Sequence, residues 1–169
     1  SIRSEFDLHP LAVEDAIHAH ERPKLEVYGD MDFIVLKTAQ YVDPTEVIKL
    51  GEILIFLGHD YVITVRHGEA SELGGVRRRL EEEPELLQHG PGAVLHSIVD
   101  RVVDDYGPAL AGLSEDIDQV EDQVFSENRH NAAERIYKLK REVLQFEHAV
   151  GPLVDPVDRL ARGKYAVIH

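Results

Sequence analysis

A long helix is predicted by residues 95–125, which read LHSIVDRVVDDYGPALAGLSEDIDQVEDQVF. Its apolar side chains recur every three or four residues, at Leu95, Val99, Val102, Tyr106, Leu110, Leu113, Ile117, Val120 and Val124. This spacing places them on one stripe of a helix. A second stripe follows at Ile136, Leu139, Val143, Phe146, Val150, Leu153, Val157 and Leu160. Because polar, cap-forming residues 126–131 separate the two stripes, we predict an antiparallel αα-hairpin over residues 91–162.

The first arm of this hairpin is strongly acidic, whereas the second is mildly basic. Residues 91–130 hold nine acidic residues and two arginines, and so contribute half of the net charge of −14. A helix of about 35 residues is roughly 50 Å long, but a compact chain of this size has a radius of gyration of only about 15 Å. We therefore expect the hairpin to protrude.

The first 90 residues have the pattern of a mixed α/β unit. Apolar runs at 25–41, 47–57 and 61–65, separated by the turn sequences DPTE and GHD, predict an antiparallel meander of three strands. The middle run is almost continuously apolar, so both sheet faces should be covered by helices, predicted at 10–20 and 69–83. The expected fold is thus a partial α/β/α layered domain over 1–90, which we expect to lack its N-terminal strands, followed by the hairpin.

Composition excludes several classes of function. The longest apolar run, residues 53–57, is far shorter than the roughly 18 residues that a membrane span needs. The absence of cysteine rules out disulfides, thiolate chemistry and cysteine-built zinc sites. A net charge of −14 and a sequence pI near 5.0 disfavour binding to nucleic acid and favour attraction of cations. We therefore expect no nucleic-acid partner.

Four acidic residues are the candidate ligands of a divalent cation: Glu14, Asp15, Asp100 and Asp104. Magnesium prefers carboxylate and water oxygens. Two carboxylates about 4 Å apart repel each other by roughly 4 kcal/mol at an effective dielectric constant near 20, and a bound divalent cation removes that repulsion. The alternative is that these are ordinary solvated helix acids. The pair His18 and His20 is a weak zinc signal, because residues two apart point to different faces of a helix.

Six segments, in order, resemble the cytoplasmic domain of the CorA family of magnesium transporters: LHPLAVED (8–15), ERPKLEVY (21–28), DFIVLK (32–37), IVDRVVDDY (98–106), IYKLKR (136–141) and GPL (151–153). Two positions depart from the family pattern. Glu21 stands where glutamine is common, and Gly107 stands where an aromatic residue is usual.

The resemblance implies a homopentameric channel with a funnel of α/β domains and acidic hairpins below a two-helix membrane pore. The family's Gly-Met-Asn signature and long stalk helix are not in this sequence, so residues 163–169 would be a tail leading towards stalk and membrane segments. The chain would then be a regulatory domain at the cytoplasmic face of the membrane, joined to its own membrane domain. Glu14, Asp15 and Asp100 match family acids at Mg²⁺ sites between subunits, where bound metal favours the closed pore; Co²⁺ or other divalent cations are also expected.

Three alternatives remain open. The first is a zinc-transporting branch of the same superfamily, and the second is a scaffold that acts only through its hairpin. The third is a metal-dependent hydrolase, which ranks last because the acids lack a convergent His or Lys base. We therefore predict that the chain is not an enzyme.

Overall fold

The computed structural model describes residues 2–126 and 130–163. Its centre is one four-stranded antiparallel sheet in the order β1-β2-β3-β4, which confirms the mixed α/β class. The strands are β1 (Lys24–Tyr28), β2 (Met31–Val42), β3 (Val47–Leu57) and β4 (Val62–Gly68).

The predicted three-strand meander is wrong by one strand. The run at 25–41 is two strands, because Gly29 and Asp30 form a two-residue turn that pairs Tyr28 with Met31. Gly29 has a φ of 63°, a conformation in which glycine carries no steric penalty. The apolar residues on both sides of this turn hide it in the sequence pattern.

Seven α-helices are assigned in the described residues. They are α1 (Ile2–Glu5), α2 (Pro10–His18), α3 (Gly74–Glu82), α4 (Pro84–Leu87), α5 (Pro91–Phe125), α6 (Ala132–Val150) and α7 (Val154–Ala161), with 3₁₀ turns at Asp43–Thr45 and Gly151–Leu153. None of the described helices is both long and apolar enough to span a membrane. The proposed limits 1–90, 91–162 and 163–169 stay predictions, and 164–169 lie outside the described residues.

Helices cover the two faces of the sheet, as the apolar middle strand predicted, but the second face is packed mainly by α5 and not by the helix predicted at 69–83, which spans Gly74–Glu82 and buries Leu80. Along β2, Phe33 and Val35 pack in one cluster with residues of α2, whereas Ile34 and Leu36 pack in a second cluster with residues of α5. Because successive side chains of a strand point to opposite faces, α2 and α5 lie on opposite sides of the sheet. This layering determines which of the candidate acids can meet.

The predicted αα-hairpin is confirmed, but its buried stripe differs from the predicted one. On α5, Leu110 and Ile117 are exposed, while Ala109 and Asp116 are buried in their place. Both stripes step by three or four residues, as 3.6 residues per turn requires. The sequence pattern followed the larger apolar side chains, whereas the buried face includes a small residue and an acid, Ala109 and Asp116. The hairpin also does not stand free along its whole length, because the side chain of Asp116 still contacts the sheet.

Candidate metal-binding acids

Glu14 and Asp15 are placed by the packing of α2. Pro10 occupies the first turn of this helix, and Ala12 and Ala16, one turn apart, are buried against the sheet. Glu14 therefore points to solvent, while Asp15 lies at the margin of the buried face with about a quarter of its side chain exposed. The two neighbouring acids have different environments.

Asp15 already binds a cation of its own chain. The Nζ atom of Lys24, at the start of β1, lies 2.6 Å from Asp15 Oδ2, 3.3 Å from Glu21 Oε2 and 3.4 Å from Glu26 Oε2. Burial acts to lower the pKa of Lys24, but the bonds to Asp15 and Glu21 and the charge of Glu26 outweigh it and raise that pKa overall. The ammonium group stays charged, so an external cation at Asp15 has to share the carboxylate with Lys24 or displace it.

No local sequence pattern marks Lys24, which lies within the segment ERPKLEVY, because the meeting of β1 with α2 is a tertiary contact. An aromatic pair borders the same cluster: Tyr28 donates a hydrogen bond to Glu26 Oε2 at 2.8 Å and stacks on His9 with ring centroids 4.2 Å apart. Burial and then this bond raise the pKa of Tyr28 to about 12, so its hydroxyl stays protonated.

Asp100 and Asp104 lie one turn apart on α5, and both are exposed. Ile98 and Val102 turn towards the sheet, so these acids lie on the outer side of the helix. The neighbouring Asp105 forms an ion pair with Arg101, with 2.9 Å between Asp105 Oδ1 and Arg101 Nη2. Asp100 and Asp104 are therefore available to a partner in solution.

The four candidate acids do not form one site within a chain. Glu14 and Asp15 belong to the α2 side of the sheet, and Asp100 and Asp104 belong to the α5 side. Among the residues that the structure describes, no group of three or more His, Asp or Glu side chains is arranged to hold a metal ion.

Asp116 on α5 is buried, unlike the exposed acids Glu115 and Asp118 beside it. Asp116 is only 4% exposed, accepts a hydrogen bond from the Tyr41 hydroxyl, and has Oδ1 3.6 Å from Nη2 of Arg135. Burial, and then the carboxylate of Asp116, raise the pKa of Tyr41, so its hydroxyl remains a donor. The same Arg135 nitrogen lies 2.6 Å from Glu46 Oε1.

A second buried acid links the other arm of the hairpin to the sheet. Glu142 on α6 is 9% exposed, and its Oε2 accepts the backbone N–H of Ile48 at 2.8 Å. Ile48 lies on the part of β3 that precedes the residues paired with β4. The carboxylates of Asp116 and Glu142 therefore hold the two arms of the hairpin against the end of the sheet that carries the β2–β3 turn. This role is structural.

Comparison with solved structures first defines the class of fold. The chain resembles the soluble domain of CorA from Methanocaldococcus jannaschii, with a TM-score of 0.67 and 16% identity over 88% of this chain and 59% of that one. It also resembles the complete CorA magnesium transporter of the same organism, with a TM-score of 0.73 and 17% identity over 99% of this chain and 52% of the other.

The sequence model of the family described as CorA-like Mg2+ transporter protein matches residues 1–167, and the chain belongs to that family. It is 28% identical to the putative metal ion transporter YfjQ of Bacillus subtilis, over 94% of this chain and 49% of the relative. It is 27% identical to the cobalt/magnesium transport protein CorA of Thermotoga maritima, over 93% of this chain and 45% of the relative. The chain thus spans about half the length of these relatives.

Proposed function

We propose that this chain is the metal-sensing regulatory domain of a CorA-type transporter for magnesium, with cobalt as a second cargo. It works at the cytoplasmic face of the membrane, as part of a homopentamer joined to its own membrane domain, and it is not an enzyme. Membership of the family supports this proposal, as do the names of its relatives, which include a cobalt/magnesium transport protein.

The single observation that carries the sensing proposal is the placement of the acids. Glu14 and Asp15 lie on one side of the sheet and Asp100 and Asp104 on the other, so one cation reaches both groups only between two copies of the domain. Carboxylates that face each other across such a contact repel by roughly 4 kcal/mol per close pair at an effective dielectric constant near 20. A divalent cation cancels this repulsion and holds the copies together, which favours the closed pore.

A thermal melt of the isolated chain tests this proposal. We expect millimolar Mg²⁺ to raise the melting temperature modestly relative to potassium salt of equal ionic strength, because a ligand of the folded state stabilises it by RT ln(1 + [L]/Kd). We also expect Mg²⁺ to increase the sedimenting mass, because the ligands come from two copies. Equal melting temperatures and masses in the two salts would contradict a cation site in this chain.

A second test uses the complete transporter. Asp15→Asn keeps the shape and one coordinating oxygen but removes the charge, so we expect folded protein that needs more Mg²⁺ for protection from proteolysis. Asp118→Asn is the matched control, because Asp118 is an exposed acid of α5. An unchanged protection midpoint in Asp15→Asn would remove Asp15 from the sensor. Protection by Zn²⁺ but not by Mg²⁺ would favour the zinc-transporting branch.

A scaffold that acts through the hairpin is the second candidate function. The observation that favours it is a set of exposed apolar side chains on α5 and α6: Val103, Leu110, Ile117, Ile136, Tyr137, Val143 and Leu144. Such a surface is suited to packing against another protein segment. Assembly of the chain that is equal with and without divalent cations would favour this function over metal sensing.

A further inference from the structure

Asp32 is a buried carboxyl group for which the described part of the chain provides no hydrogen-bond partner. It lies on β2 with 0% of its surface exposed, and neither carboxylate oxygen has a hydrogen-bond partner among the described residues. Its cross-strand neighbours are Val27 on β1 and Leu57 on β3, both apolar. Buried polar groups are nearly always paired, so this carboxyl group requires an explanation.

No charged group of the surrounding elements compensates Asp32. It shares the sheet face of Ile34 and Leu36, which pack against α5. Burial alone raises its pKa, with no contribution from a neighbouring charge. Charged and titratable groups that the adjoining elements carry are bonded elsewhere or exposed: Glu26 on β1, Glu52 on β3, Arg66 on β4, Arg77 and Glu81 on α3, and His96, Asp100 and Arg101 on α5.

We propose that folding of this domain is linked to one proton on Asp32, so that the packing of β2 weakens as the pH rises. An ionised carboxylate in an apolar core is far less favourable than the neutral acid, because it loses its hydration without gaining a partner. The unfolded chain releases this proton near pH 3.8, the ordinary value of the group, whereas the folded chain retains it to higher pH. The stability is therefore complete below that pH and is lost as the pH rises through the folded-state pKa.

The linkage has a defined size. Between the unfolded and folded pKa values, one proton of difference lowers the folding equilibrium constant tenfold for each pH unit. Above the folded value both states are ionised, and the loss stops growing. This property depends only on the core of the sheet and is independent of the metal-sensing proposal.

Urea unfolding of the full chain between pH 4 and pH 8 tests the proposal. The variants are Asp32→Asn, which has the same shape but does not titrate, and Asp32→Leu, which is apolar. We expect the folding constant of the wild type, divided by that of either variant, to fall with pH at up to tenfold per unit. Asp30→Asn, at an exposed position in the adjacent turn, should follow the wild type at every pH.

Parallel pH profiles of the wild type and Asp32→Asn would overturn the proposal. A second measurement applies even if both variants fail to fold. The ¹³C chemical shift of the Asp32 carboxyl carbon in the folded wild type reports the protonation of this one group. We expect it to remain that of the neutral acid above the ordinary carboxyl range, and the shift of an ionised carboxylate throughout pH 4 to pH 8 would also overturn the proposal.

Discussion

The two halves of α5 carry similar acidic residues in opposite environments. In the first half, Asp100 and Asp104 point to solvent while apolar side chains cover the sheet. In the second half, Asp116 is buried beneath Tyr41 and beside Arg135. The same residue type thus serves as a candidate ligand in one half and as a structural connection in the other, and what packs against the helix decides which.

The close approach of β2 to the second half has a local cause. A Cβ atom at Gly112 would fall within 3.0 Å of the Tyr41 ring, whereas a Cβ atom at Gly107 would meet no atom within 4 Å. Glycine at position 112 therefore lets the Tyr41 ring lie against the helix, which brings its hydroxyl to Asp116 one turn further on. Among the residues described, the side-chain hydrogen bond from the first half of α5 to β2 is that of Tyr106, whose hydroxyl donates to the Lys37 carbonyl.

The largest effect should come from breaking the connection in the second half. We expect Asp116→Ala to lower the free energy of unfolding by roughly 2–3 kcal/mol, because the Tyr41 hydroxyl loses its acceptor in a largely buried place. Asp118→Ala, at an exposed position of the same helix, should change it by less than about 0.5 kcal/mol. Urea unfolding of both variants measures the difference. Equal losses of unfolding free energy in the two variants would mean that the buried contacts of Asp116 do not stabilise the fold.

Replacing two glycines by alanine should change the free energy of unfolding by smaller amounts, with opposite signs at the two positions. We expect Gly112→Ala to destabilise the chain by about 1–3 kcal/mol, since the added methyl group displaces the Tyr41 ring. Gly75→Ala, at an exposed position of α3, should instead stabilise it by roughly 0.5–1 kcal/mol, because alanine is the better helix former and an added Cβ atom there meets no atom within 4 Å. Thermal melts of the two variants and the wild type measure these changes in stability. Stabilisation by both substitutions would show that Tyr41 moves aside freely.

Much of the architecture could be predicted from local patterns, but the pairing of distant side chains could not. The alternation of apolar runs and turns gave the sheet, and the three-and-four spacing gave the hairpin, since both depend on neighbours in sequence. The turn at Gly29 was missed because apolar residues flank it. The burial of Asp116 was missed because its partner Tyr41 is 75 residues away. Lys24 is only nine residues from Asp15, but their contact joins a strand to a helix, and no local periodicity predicts it.

The smallest expected effect concerns the first half of α5. Asp100 and Asp104 are like charges four residues apart, and such helix pairs are unfavourable by about 0.2–0.5 kcal/mol. We therefore expect Asp104→Asn to leave stability without metal unchanged or slightly raised, in contrast to Asp116→Ala. If Asp104 also helps to bind a cation between copies, the variant should need more Mg²⁺ to reach the same sedimenting mass. Sedimentation of the variant and the wild type across a Mg²⁺ series, at constant ionic strength, separates the two roles. Identical Mg²⁺ dependence would leave Asp104 as a solvated acid and restrict the proposed sensor to Glu14, Asp15 and Asp100.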